Sequence, residues 1–409
     1  MLSLRCTIGL NGLNLFIAAV QTGFGPFFSV YLTEQGWSQG DIGFALSIGT
    51  ASVLALQLPS GALVDLIHHK RFANGLGLVL IGISAAMLVA TPTPKPVWAA
   101  QIMHSIGSCI LTPAIAALTL AVCGQAGFSE RLGINARYAS IGNALAAGLL
   151  GLLASYVSNR AVFIATALLV LPALVTLPMF RKSDLVSAEE HPSLLHPREQ
   201  MRQDRRPWHI YSEPALHTFA IALVLFQFAN AAMLPLALNE LTKRTGDTGL
   251  VVSAAIIVPQ IVVALFSPWV GRMAQRIGRR PILLVGFAAL PVRALLFVSL
   301  PDAIPLVAME VFDGISGAVF GLMVPLIAAD VTRRTGFLNF TISSLALAGG
   351  LGATLSTTAA GWVADTLGAP AAFLGLALVG LAALMVLWSM MPETRPGKPV
   401  SGAPHAVPA

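Results

Sequence analysis

Gly61-Ala62-Leu63-Val64-Asp65-Leu66-Ile67-His68-His69-Lys70-Arg71 and Gly271-Arg272-Met273-Ala274-Gln275-Arg276-Ile277-Gly278-Arg279-Arg280 are two forms of one stretch, 210 residues apart. In each, an apolar run reaches a glycine, and a pair of cations then opens the next apolar run. Other residues keep almost the same offset. Pro26 falls on Pro235 and Gln21 on Asn230, both at 209. Gln101, His104 and Ser105 fall on Glu310, Asp313 and Gly314, again at 209. Gly133 and Gly336 match at 203, as one short gap allows. The chain is therefore a duplication, and each copy reads as six membrane-spanning helices.

The composition supports this reading. The chain has 409 residues, 56% hydrophobic and 10% charged, against about 25% charged in soluble proteins. A spanning helix needs roughly 20 mostly apolar residues. Such segments occur at about 7–31, 41–64, 72–91, 97–122, 135–157, 160–180, 215–240, 249–270, 280–300, 304–330, 338–362 and 369–391. The 37 glycines suit helices that approach closely in lipid. The expected fold is an all-α membrane protein, with twelve transmembrane helices in two pseudo-symmetric six-helix bundles, residues 1–180 and 214–391. Residues 181–213, polar and proline-bearing, read as a central loop. Residues 392–409, with five prolines, read as a disordered tail.

Charge sets the expected orientation. Of the 24 Lys and Arg residues, 19 fall on the side that carries both ends of the chain, 4 on the other side, and Arg293 within a span. The positive-inside rule then places both ends in the cytoplasm, in a cell inner membrane. The arginines of the central loop also suit anionic lipid headgroups. No basic run carries interleaved aromatics, which argues against nucleic acid as a partner. The first apolar stretch is too long for a signal-peptide core and reads as a span. Cys6, Cys109 and Cys123 form no spaced pair and read as reduced thiols. No motif calls for a metal or cofactor.

The repeat, the twelve spans and the central loop resemble the major facilitator superfamily. The family pattern between the second and third helices of each half is Gly-x-Leu-x-Asp-Arg-x-Gly-Arg-Arg/Lys. The first copy here keeps Gly61, Leu63, Asp65, Lys70 and Arg71, and departs at Leu66 and His68. The second keeps Gly271, Arg276, Gly278, Arg279 and Arg280, and replaces the acid with Gln275. The resemblance implies that Asp65 grips the eleventh helix when the cavity faces outward. Arg333 and Arg334, just before that helix, are expected partners. Lys70, Arg71, Arg279 and Arg280 read as cations that enforce topology, and Asp330 as part of a charge cluster at the gate. Drug antiporters of the family often carry Arg-x-x-Gln-Gly-x-Gly in the fourth helix, where this chain has Gln101-Ile102-Met103-His104-Ser105-Ile106-Gly107. Their Gly-Pro signature in the fifth helix is also missing.

Ionisable residues inside a span are costly and usually mark a pathway. Here they are Arg293 in the ninth span and Glu310 and Asp313 in the tenth. The two acids are three apart and share a helix face. Arg293 falls at similar depth, so it can pair with either acid. Two carboxylates against one guanidinium leave one acid able to carry a proton; the alternative is a permanent ion pair that fixes the two helices together. His104, the repeat counterpart of Asp313, is a further titratable candidate. Gln21 and Asn230 are the leading candidates for substrate hydrogen bonds. Asn14, Gln101, Ser105, Ser108 and Gln227 are weaker ones, with ordinary interhelical bonds as the competing explanation.

A duplicated helical bundle is the architecture of a secondary transporter. The expected function is movement of a small organic molecule by alternating access, as proton-coupled efflux or, alternatively, uptake with protons. No Gly-x-x-x-x-Gly-Lys-Ser/Thr, Gly-x-Ser-x-Gly or His-Glu-x-x-His stretch occurs, so ATP-driven pumping and hydrolytic chemistry find no support. A non-transporting receptor would need an output domain that the central loop is too short to supply. One chain holds both halves, so a monomer is expected.

Overall fold

In hydrocarbon, backbone amides must be bonded internally, so a chain this apolar is confined to helices or a closed barrel. The computed structural model describes residues 3–24, 26–37, 39–67, 69–180, 213–245, 249–299, 302–333 and 337–395, and no strand occurs among them. The helices are α1 (Leu4–Thr22), α2 (Pro26–Glu34), α3 (Gln39–Leu66), α4 (Lys70–Ala90), α5 (Pro94–Tyr156), α6 (Asn159–Thr176), α7 (Pro214–Ala231), α8 (Met233–Thr245), α9 (Gly249–Ile277), α10 (Arg279–Phe297), α11 (Ala303–Val331), α12 (Leu338–Leu367) and α13 (Ala369–Met390).

Among the described residues, ten helices are long and apolar enough to cross a membrane. One of them, α5, has 63 residues. Straight, it would measure about 95 Å at 1.5 Å per residue, roughly three times the hydrocarbon thickness. It breaks at Gly124, whose φ of 62° and ψ of 175° are not helical, and so makes two crossings. The first crossing is made by α1 and α2 in series. Counting α5 twice and α1–α2 once brings the number to the twelve read from the sequence. The repeat-matched prolines mark breaks in the first span of each half: Pro26 opens α2, and Pro235 lies near the start of α8. Proline lacks an amide hydrogen and interrupts a continuing ladder.

Residues 123–134, read as a loop between spans, are helical. Ser129 and Arg131 are buried rather than solvated, at 0% and 4% exposed, while Glu130 is exposed. Ser129 Oγ donates to Gly271 O at 2.6 Å, and Arg131 Nε donates to Asn135 Oδ1 at 2.9 Å. Ser129 thus bonds across to α9, while Arg131 bonds within α5 and also donates to Asn11 on α1. The central loop lies outside the described residues except for Glu213. The tail expected to be disordered begins as a docked segment. Glu393 accepts from the Arg279 and Arg280 amides at 2.8 and 3.1 Å, and Arg395 Nη1 donates to Arg276 O at 2.6 Å.

The duplication recurs in the packing. A Cβ on Gly61 would lie 2.6 Å from Asn339 O and also clash with Ser343; one on Gly271 would lie 2.5 Å from Ser129 O and 3.4 Å from Gly133 Cα. Asn339 and Ser343 are Ser129 and Gly133 plus 210. The contact of α3 with α12 is thus repeated by α9 with α5. This pairs Gly133 with Ser343, in place of the gapped match to Gly336. Gly142 abuts the Leu15 carbonyl, and Gly352 abuts Val224 in the same way. Gly77 meets Gly107, and Gly286 accepts from Ser316 Oγ at 2.8 Å. Beyond these seams, large side chains such as Phe72, Leu168, Leu378 and Trp388 are exposed, as a lipid-facing surface requires.

The end of the bundle that carries both repeated stretches is called the basic face below. Near it, the halves meet along α3–α12 and α5–α9. Toward the other end α5 and α9 diverge around a gap of about 290 Å³ lined by Ala144, Ala147, Ile256 and Ile257, and a Cβ on Gly148 or Gly151 would meet nothing within 4 Å.

Glycine positions therefore differ sharply in their tolerance. Gly142→Ala drives a methyl into a backbone carbonyl and is expected to cost about 1–3 kcal/mol, as overpacking does. Gly151→Ala, in open space, is expected to be neutral or stabilising by up to about 1 kcal/mol from helix propensity. Thermal unfolding in detergent measures both, and equal melting temperatures would contradict the packing.

Candidate functional site

A cavity of about 640 Å³ lies between the halves. Asn14, Ile17, Ala18 and Gln21 reach it from α1, and both arms of α5 contribute Thr112, Thr119, Asn135, Ser140 and Asn143. The second half supplies Leu223, Gln227, Val263, Phe320, Val324, Ile342 and Leu345. The side chains stand here because helical periodicity returns them to one face: Asn14, Ile17 and Gln21 on α1, Asn135, Ala139 and Asn143 on α5. The sequence reading missed the α5 set, although Asn135 and Asn143, eight residues apart, share a face. Of the expected substrate-contacting residues, Asn14, Gln21 and Gln227 line the cavity. Ser105 instead donates to Gly49 O at 3.0 Å. Gln101 lies near Gly49, and Ser108 lies 3.5 Å from His104. These three fasten α5 to α3 or to itself.

Asn230 belongs to a different cluster. Arg293 on α10 is 2% exposed. Its Nη1 donates to Asn230 Oδ1 at 2.9 Å and to Asp313 Oδ1 at 2.7 Å. Its Nη2 donates to both oxygens of Glu310, at 2.8 and 2.7 Å. The one guanidinium therefore engages both acids, where the sequence left the choice open. The Phe297 ring lies 5.4 Å from Arg293 Cζ, a favourable cation–π placement. The Glu310 side chain is fully buried and that of Asp313 is 30% exposed. Ser316 and Gly286 bring α11 close enough to α10 for this contact. The cluster stands one helical turn from the cavity, because Asp313 precedes the lining residue Gly317 by four.

His104, the repeat counterpart of Asp313, stacks on Phe24 with ring centroids 4.0 Å apart and an interplanar angle of 18°. It does not join the Arg293 cluster.

At the basic face, Asp65 is 3% exposed. Its Oδ1 accepts from the Asn339 amide at 3.1 Å and from Asn339 Nδ2 at 2.7 Å, and its Oδ2 accepts from the Phe340 amide at 2.8 Å. The acid caps the start of α12, where amide donors lack helical partners and the dipole is positive. Asn339 and Phe340 fill the place expected for Arg333, which is exposed. Arg334 lies outside the described residues. Lys70 is buried and donates to Val64 O at 2.8 Å, and Arg71 donates to Phe180 O. In the second half Arg279 pairs with Asp330 at 2.9 Å, and Gln125 donates to the same carboxylate at 3.1 Å. Lys70, Arg71 and Arg279 are thus structural partners, a role beyond the topological one expected of them. Arg276 and Arg280 serve the docked tail, through the Arg276 carbonyl and the Arg280 amide. Gly278, at φ 109°, opens α10 against Glu393.

Removing the Asp65 carboxylate leaves the α12 amides uncapped. Asp65→Ala is expected to weaken this closure by about 1–2 kcal/mol, the scale of a lost helix cap. Spin labels at Leu66 and Arg333 in a cysteine-free background should report a longer, broader distance distribution. An unchanged distribution would show that the cap does not hold the seam.

The fold and its two-fold packing place this chain among known transporters. The model of the Major Facilitator Superfamily matches residues 10–238 and 219–408. An uncharacterized MFS-type transporter found in two strains of Mycobacterium tuberculosis is 35% identical over 397 residues, covering 95% of this chain and 94% of that protein. Among solved structures, the human organic anion transporter MFSD10 superimposes with a TM-score of 0.71 at 15% identity, over 94% of this chain and 100% of that one. The proton:xylose symporter XylE gives 0.72 at 13%, over 96% of each chain. FucP in its outward conformation gives 0.71 at 14%, over 93% and 97%. The chain belongs to the Major Facilitator Superfamily of membrane transporters.

Proposed function

We propose that this protein exports a small organic molecule across the cytoplasmic membrane by proton-coupled alternating access, working as a monomer. In this reading the basic face is cytoplasmic, together with residues 3 and 395, and the cavity is poised toward the outside. The observation that carries the proposal is the cluster of Arg293 with Glu310 and Asp313. Two carboxylates and one guanidinium hold a surplus negative charge in a largely buried cluster, and one proton neutralises it. Asp313, the more exposed acid with the single bond to Arg293, is the entry point; Glu310, held through both oxygens, keeps the arginine in place. A proton passed to this pair of acids weakens the pair's hold on Arg293 and so loosens α10 from α11. A proton crossing a potential of 100 mV supplies about 2.3 kcal/mol, so a single coupled proton sustains a substantial substrate gradient.

Gly61 and Gly271 supply the pivots in this scheme. Asp65 and the Arg279–Asp330–Gln125 group hold the cytoplasmic side shut until the halves rock, and the gap between α5 and α9 is the space into which the outer side closes.

Purified protein in proteoliposomes under an imposed pH gradient tests the proposal. A panel of drugs, amino acids, sugars and siderophore-like compounds is screened while internal pH is recorded. The Glu310→Gln/Asp313→Asn double variant is expected to lose substrate-dependent proton movement and to retain substrate counterflow. Proton coupling that survives the double variant would overturn the assignment, and proton movement in the same direction as substrate would replace export with symport.

A second prediction concerns charge balance. Arg293→Gln strands two acids and is expected to lose about 3–5 kcal/mol of stability, the scale for breaking a buried pair. Combining it with Glu310→Gln and Asp313→Asn should restore most of the loss in detergent melts. Failure of the triple variant to recover would mean that Arg293 acts through packing rather than charge.

A further inference from the structure

The central cavity is not evenly lined. Among the described residues, its polar lining comes almost wholly from the first half, with seven hydroxyl or amide side chains on α1 and α5. The second half contributes Gln227 and otherwise only apolar side chains and glycines. Among the described residues no ionisable side chain lines it. The Arg293 cluster stands a turn away. Arg131 donates to Asn135 and Asn11, is 4% exposed and is not part of the lining.

The polar groups also differ in what they have left to offer. Thr119 and Asn135 bond each other, and Asn135 accepts from Arg131. Thr112 donates to the Ser108 carbonyl, and Asn143 links Thr22 to Gln260. Among the described residues, the Gln21 and Gln227 amides and the Ser140 hydroxyl have no protein partner. Asn14 donates to Leu10 O at 2.8 Å, which leaves its own oxygen unbonded. These four side chains face one cavity from three helices, with donors and acceptors both available.

From this lining we infer that the transported molecule is uncharged and two-faced. One edge carries hydroxyl, amide or carbonyl groups, which pair with Asn14, Gln21, Ser140 and Gln227. An apolar or aromatic body lies against Phe320, Val324 and Leu345. The cavity is within the size range of sites for drug-sized ligands. A carboxylate or ammonium placed there would exchange hydration for neutral dipoles alone and finds no counter-charge. The substrate charge is therefore zero, and the charge that crosses the membrane in the cycle is the proton's, carried on the neighbouring cluster. The inference rests on the reading of this cavity as the transport site.

Matched pairs differing by one charge test it: 2-naphthyl glucoside against 2-naphthyl glucuronide, and chloramphenicol against its succinate ester. Binding is read by thermal shift and isothermal titration on the purified full chain without a proton gradient, which separates this inference from proton coupling. At least one neutral member is expected to bind ten-fold or more tightly than its anionic partner. Gln21→Leu and Ser140→Ala should each weaken that binding five-fold or more with the unliganded melting temperature unchanged. Phe320→Ala should weaken it as well, while Gln101→Leu, outside the cavity, should not. Equal or stronger binding of the charged members, binding of neither member of both pairs, or neutral binding indifferent to Gln21 and Ser140 would overturn the inference. Neutral selectivity together with proton-independent flux would leave it standing and refute the coupling scheme alone.

Discussion

The rest of the structure depends on backbone meeting backbone at two places related by the duplication. Gly61 lies against Asn339 and Ser343, and Gly271 lies against Ser129 and Gly133. In lipid there is no hydrophobic force to press helices together, so association relies on close packing and interhelical hydrogen bonds. Both are concentrated here. Ser129 donates to Gly271 O, and Asp65 caps the helix that Gly61 touches. These seams close one end of the cavity and leave α5 and α9 apart at the other. The cavity exists because its walls are joined at one end only.

The charged cluster relies on the same economy. An arginine inside a bundle needs partners for as many of its donors as possible, and Arg293 finds three side chains from two other helices. Its Nε alone has no partner. Such a site is stable only while every member stays in place, so a change in charge on one carboxylate acts on the relative position of α7, α10 and α11. Under the proposed function this suits the cluster to coupling, while the same bonds also fix α7, α10 and α11 together.

Much of this was legible in the sequence, for identifiable reasons. The duplication was visible because the packing contacts demand small residues at fixed offsets. Arg293, Glu310 and Asp313 stood out because charge inside an apolar run is rare. The sequence was less informative wherever polarity had two meanings. Residues 123–134 look like a loop, yet Ser129, Arg131 and Asn135 are buried and bonded. Asn230 looks like a cavity residue by its match to Gln21, yet it bonds Arg293. Arg333 looks like the natural partner of Asp65, but the uncapped amides of a helix start need an acceptor more than an exposed arginine does. Pairwise partners of this kind are set by three-dimensional approach, which offsets along the chain do not encode.

The divergence of the two copies is itself a physical argument. Gln101, His104 and Gln21 in the first half correspond to Glu310, Asp313 and Asn230 in the second. The second set is drawn together by Arg293. The first set is dispersed: Gln21 faces the cavity, Gln101 packs near α3, and His104 stacks on Phe24. One ancestral position set has thus become a charged cluster in one half and separate neutral groups in the other. The cavity wall shows the reverse polarity, hydrogen-bonding in the first half and apolar in the second. The Arg293 cluster and all of the cavity's hydrogen-bonding side chains except Gln227 are therefore kept on opposite halves. A substrate held between them contacts the charged half through α7, α9, α11 and α12, by Gln227, Val263, Phe320 and Leu345 among others. Among the described residues no ionisable side chain lines the cavity, so under the proposed coupling the proton acts on the substrate through the positions of α7 and α11, the two helices that carry both cluster and lining residues.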